Sequence, residues 1–146
     1  MARTELIVGG DFQNGRVFPP HGWDAFQTYS QWFGNNMEIG QANLYLDSTS
    51  TTDYVVEIDG VQGQTTTVAQ TFNVAEDNQS ALHFDLTGRN GKPPEPIIVE
   101  VLDANQLVIF SETVEPTNSG VFENLKLNLI LVPLGITHYV SVKTLR

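Results

Sequence analysis

The densest concentration of side chains able to meet a ligand lies in one stretch, FQTYSQWFGNNMEIGQANLYL, residues 26–46. Phe26, Tyr29, Trp32, Phe33 and Tyr45 stand there among Gln27, Gln31, Asn35, Asn36, Gln41 and Asn43. Aromatic rings stack on the C–H faces of sugars, and amides bond hydroxyl groups without bringing charge, so this combination suits a neutral glycan. The same residues also suit a subunit interface, where aromatics are enriched, and simple alternation would carry Phe26 and Tyr29 into a core. Trp32 and Phe33 are neighbours, so on an extended chain they point to opposite faces and cannot both enter one core. Gly34, Asn35 and Asn36 follow with strong turn chemistry. The expectation is a contact surface at a loop tip, made by Tyr29, Gln31, Trp32, Phe33, Asn35 and Asn36.

A second group is His83, Asp85 and Thr87, with Glu57 as a further member. A histidine near an aspartate has the form of acid–base machinery, but alternating polar residues are what any solvated sheet face shows. Arg89, at the end of that run, is placed to pair with Asp85 or to bind a ligand, and a structural ion pair is the expected role. The chain has no nucleophile-elbow, zinc-protease or phosphate-loop motif and no cysteine. His21, His83 and His138 are far apart in sequence, and pairs of carboxylates occur by chance in any acidic chain. The expectation is a protein that is not an enzyme.

The elements that must position these residues repeat with period two. YVVEID sets Tyr54, Val56 and Ile58 on one face; VAQTFNV sets Val68, Phe72 and Val74 on one face with Gln70 between them. LHFDLTGR alternates Leu82, Phe84 and Leu86 against His83, Asp85 and Thr87. LKLNLIL alternates Leu125, Leu127, Leu129 and Leu131 against Lys126, Asn128 and Ile130. EVLDANQLVIF predicts a hairpin turning at Asp103 to Gln106. Turn clusters such as DGVQGQ and GRNGKPPEP separate these runs, and no window has helical periodicity. Some ten short strands in 146 residues predict a single all-β domain over 1–146, an antiparallel two-sheet β-sandwich of jelly-roll type. The charge balance, 17 acids against 7 bases, repels phosphate backbones and argues against a nucleic-acid partner. No apolar run approaches the length of a membrane span, so membrane insertion is not expected. The start, MARTELIVGG, lacks the form of a secretory leader.

In chain order, LIVGGDFQ followed by Gly22-Trp23, YVVEIDG, VAQTF, ALHFDLTGR and the closing VSV resemble the strands of galactose-binding-like β-sandwiches, the family that includes carbohydrate-binding modules of bacterial surface and secreted proteins. The resemblance covers nearly the whole chain. It implies that LIV and YVSV are neighbouring strands and that the module binds a ligand without naming it. Trp23, opening a strand after a turn, is expected to cap the core. Modules of this kind commonly hold a structural calcium between an N-terminal acid and paired aspartates of the last strand. Here Gln13 and His138-Tyr139 stand at those positions. Calcium prefers several anionic oxygens, so no cofactor is expected, and Asp11 is the acid left to support a calcium.

Two readings of function follow. The first is a non-catalytic module displayed on a cell or particle surface that recognises a neutral glycan. The second is a structural subunit, a decoration, cement or appendage protein of a phage particle, whose partners are neighbouring subunits of the same or another chain.

Overall fold

The computed structural model describes residues 6–13, 18–58, 64–73, 78–131 and 137–144. Nine strands are present among them: β1 (Trp23–Tyr29), β2 (Trp32–Gln41), β3 (Tyr54–Glu57), β4 (Thr67–Asn73), β5 (Asn78–Leu86), β6 (Ile97–Leu102), β7 (Val108–Val114), β8 (Glu123–Leu131) and β9 (Thr137–Thr144). All named pairings are antiparallel. One sheet runs β1-β2-β4-β9-β6-β7, with β3 also on β2; the other is the pair β5-β8. The architecture is an antiparallel β-sandwich, as the period-two patterning predicts.

The core lies between the sheets. Met37, Ile39, Val68, Phe72, Ile97, Val99 and Val101 from the large sheet meet Leu127 and Leu129 of β8, and Leu82, Phe84 and Leu86 of β5 pack against them. Tyr54 and Val56 join from β3, with Ile58 just beyond its end, on the face the alternation assigns them. The β6–β7 hairpin also turns where expected: the Asp103 carboxylate accepts from the backbone N–H groups of Asn105 and Leu107, an Asx-type closure.

Two sequence expectations about the N-terminal half are corrected. Residues 6–13 form no strand; β9 pairs with β4 and β6 instead of with LIV. The segment is strapped down by side chains. Gln70, buried on β4, clasps the Val8 backbone with both ends of its amide, at 2.7 and 2.8 Å. Tyr29 Oη donates to the Phe12 carbonyl, and the Gln13 amide pairs with the Tyr54 backbone in both directions. Leu6, Ile7 and Phe12 then close one side of the core.

The second correction is the FGNN turn. The chain reverses earlier, at the two-residue connection Ser30-Gln31, with Tyr29 and Trp32 directly paired and Ser30 at φ 55°. β2 continues through Gly34 and Asn35. Asn36 adopts φ 54°, and the pairing with β1 slips between Phe26 and Thr28. The turn-forming asparagine therefore makes a bulge inside a strand, which reverses the alternation: Trp32 faces inward before it, and Met37 and Ile39 face inward after it. Gly34 is required at the crossing, because a Cβ there would lie 1.7 Å from the Thr67 carbonyl oxygen.

Candidate functional site

The expected contact surface divides between the two faces of β2. Tyr29 and Trp32 are core residues, 1% and 8% exposed. Trp32 stacks on Phe12 at 5.2 Å between ring centroids, and its indole Nε1 donates to the Gly9 carbonyl at 2.9 Å. The loop-tip expectation for Trp32 is thus corrected. The bulge at Asn36 supplies the conformation that looked like a turn, and the N-terminal strap supplies the partners that bury the indole. Phe33 points the other way. It is 38% exposed, on the outward face of the large sheet, paired across to Thr28 and Ala69. The same row continues through Ser141 to Glu100 and Ser111; it is small and polar, and Ala69 and Ser141 within it are buried. Gln31 and Asn35 are exposed nearby. Asn36 Nδ2 donates to Gln64 Oε1 at 2.7 Å, and Asn35 Nδ2 to the Thr65 carbonyl, which fixes both amides. Glu100 is ion-paired with Lys143 on this face.

The second expected group also separates. His83 and Asp85 lie exposed on β5, and Asp85 accepts from Asn124 Nδ2. Arg89 does not pair with Asp85; its Nη1 reaches both oxygens of Glu57 at 3.0 and 3.3 Å. Thr87 Oγ1 donates to the carbonyls of Gly88 and Asn118. These contacts make Thr87 a tie between loops.

Glu57 belongs instead to a cluster on the outward face of the large sheet. It is paired in register with Glu38 of β2, whose neighbours Met37 and Ile39 face the core. Like charges directly opposite repel, and the arrangement answers this with donors. Tyr45 Oη donates to Glu38 Oε1 at 2.7 Å, and Arg89 holds Glu57 while lying 5.2 Å over the Tyr45 ring. Burial pushes the Glu57 carboxyl above its ordinary value. Arg89 opposes that shift, and the charge and hydrogen bond of Glu38 add to it. Burial and Glu38 likewise drive the Tyr45 phenol far above its usual range. Glu38 and Glu57 were legible as one face, since MEIG and YVVEI each set a glutamate between inward aliphatics. Their mutual register was not.

Trp23 is the third correction. It is 39% exposed rather than a core cap. It pairs with Gly40 and so shares the outward face with Glu38. A Cβ on Gly40 would meet Trp23 Cβ at 2.6 Å and Tyr45 Oη at 2.8 Å, so Trp23 and Tyr45 pack directly over the buried Gly40 backbone. His21 meets the Trp23 ring edge-on at 5.0 Å.

For calcium, Asp11 accepts from the Gln13 N–H, and the Gln13 amide is engaged with Tyr54. No group of three or more potential metal ligands occurs among the described residues. The side chains of His138 and Tyr139 lie outside the described residues.

No family model and no curated protein matches the sequence. Solved structures that share the fold include the following two. One is the enzymatically active domain of bacteriophage CBA120 tailspike protein 4, at TM-score 0.55 and 13% identity, covering 95% of this chain and 19% of the tailspike chain. This chain thus spans about a fifth of that protein. The other is TmCBM61 in complex with β-1,4-galactotriose, at TM-score 0.53 and 19% identity, covering 97% and 88% of the two chains. The chain shares with both the fold alone, an antiparallel β-sandwich.

Proposed function

We propose that this protein is a non-catalytic glycan-binding module, displayed on a cell or particle surface, that recognises a neutral sugar on the outward face of its large sheet. The observation that carries this is Phe33, an exposed ring set among Thr28, Ala69 and Ser141 with Gln31 and Asn35 beside it. The exposed part of the ring is of the kind that stacks on a pyranose, and the amides are of the kind that meet its hydroxyls. The fold shared with a module that holds β-1,4-galactotriose supports the reading. Tyr29 and Trp32 position Phe33 from beneath and do not touch the ligand. A net charge of −10 does not oppose a neutral ligand, as it would a nucleic acid or an acidic polysaccharide. The test is affinity electrophoresis through immobilised neutral polysaccharides, with Phe33→Ala as control.

A second reading, a structural subunit, is favoured by one feature. At the outer edge strand β7, Val108 and Ile109, with Leu107 just before them, are all exposed, and an aliphatic sheet edge is a template for another chain. Mass measurement of the native species separates the two: a trimer or larger assembly supports the subunit, a monomer supports the module.

A further inference from the structure

We infer that residues 6–13 form a detachable strap, which releases as a unit from a sandwich that stays folded and which, when closed, fixes the turn of the β1–β2 hairpin. This goes beyond the glycan reading and does not depend on it.

The fastening is of a kind that can open alone. Among the described residues the segment pairs with no strand, and its main-chain bond, from the Phe12 N–H to the Gly9 carbonyl, closes within it. The hydrogen bonds that hold it to the body use side chains. Gln70 of β4 grips Val8, Trp32 of β2 reaches Gly9, Tyr29 of β1 reaches Phe12, and Gln13 reaches Tyr54 of β3. Leu6, Ile7 and Phe12 lie only partly buried against the core, and Val8, Gly9, Gly10, Asp11 and Gln13 are exposed. A segment with little buried surface and no ladder opens more readily than the strands beside it.

Two further features favour release. Gly9 and Phe12 sit in the left-handed region, at φ 62° and 58°. Glycine takes that conformation freely, but Phe12 takes it at a cost that is recovered when the strap lets go. The socket is also polar where the core would be apolar. Gln70 lies between Val68 and Phe72 in the alternation of β4, and all three are buried. Its amide offers the strap one donor and one acceptor, and water can take both places, so opening leaves no unpaired amide.

Closure acts on one element in particular. Tyr29 and Trp32 pair directly across the turn Ser30-Gln31, and both are bonded to the strap. A Cβ on Gly9 would lie 3.6 Å from Ser30 Oγ, so the strap rests against the turn as well as against its two flanks.

The experiment is native-state hydrogen exchange, followed by NMR on the full chain. The reporters are the Val8 amide, whose acceptor is the Gln70 side chain, and the Trp32 indole N–H. The reference is the set of amides in the β4–β9 ladder. In wild type the two reporters are expected to share one protection factor, about 100-fold or more below that of the ladder. Gly9→Ala strains the strap alone and should lower both reporters about tenfold while leaving the ladder unchanged. Gln70→Ala removes one fastener and should also speed exchange of the Trp32 indole, whose own bond is to Gly9. Reporters as protected as the ladder in wild type would overturn the inference, because the segment would then open only with the whole fold. Two reporters with unrelated protection would overturn release as a unit. A Gly9→Ala protein that loses ladder protection equally, or fails to fold, would overturn the separation of strap from sandwich.

Discussion

Trp32 Nε1 donates to the carbonyl of Gly9 at 2.9 Å, across 23 residues of sequence. This bond joins the first turn of the β1–β2 hairpin to a segment that has no strand of its own. With the Gln70 amide on Val8, it lets residues 6–13 cover the core without a sheet ladder. Side chains here satisfy the backbone groups that a ladder would otherwise pair.

Trp32→Ala is therefore expected to destabilise the fold rather than only weaken binding. Truncating a buried aromatic costs about 3–5 kcal/mol, and the strap loses one of its fasteners. Thermal or denaturant unfolding checks this. A melting temperature within a few degrees of wild type would show that the indole is not a core group.

Gly34→Ala should be more severe than an ordinary glycine substitution. Its Cβ would lie 1.7 Å from the Thr67 carbonyl oxygen, so β2 and β4 would have to part where they pair. The expected outcome is failure to accumulate folded protein, judged by the near-ultraviolet circular dichroism signal.

Thr66→Val should stabilise. The Thr66 side chain is fully buried and its hydroxyl has no hydrogen-bond partner. A buried unsatisfied polar group costs about 1–3 kcal/mol, and valine has nearly the same shape. A gain of about 1 kcal/mol in denaturant unfolding is expected, and a loss would mean that the hydroxyl is bonded in solution.

Much of the fold was legible because the inward residues of β3, β4, β5 and β8 alternate without interruption. The candidate site was legible only in part, because its placement depends on one irregularity. Asn36 carries the composition of a turn and makes a bulge, so Trp32 goes to the core while Phe33 remains outside. Trp23 was misassigned because strand alternation does not reveal which face a neighbouring strand covers. Its exposure follows from the pairing with Gly40. Gln13, which resemblance alone made a ligand position, turns out to clasp the backbone of Tyr54.

The Glu38–Glu57 pair should make stability depend on pH in a defined direction. The folded protein holds the Glu57 carboxyl above its ordinary value of 4.5. It then binds more protons than the unfolded chain over the window above that value, and stability falls as pH rises through it. Glu57→Gln removes the group. The melting-temperature difference, wild type minus variant, is expected to shrink from pH 4 upward. A difference that grows with pH would mean that ionised Glu57 is favoured by folding.

The most direct test of the account is titration of the folded protein with the neutral polysaccharide that retards it most in affinity electrophoresis, wild type against Phe33→Ala, at matched melting temperature. The expected result is saturable binding by wild type and a loss of at least tenfold in the variant, which corresponds to about 1.4 kcal/mol. Equal affinity of the two proteins would contradict the placement of the glycan on the outward face of the large sheet.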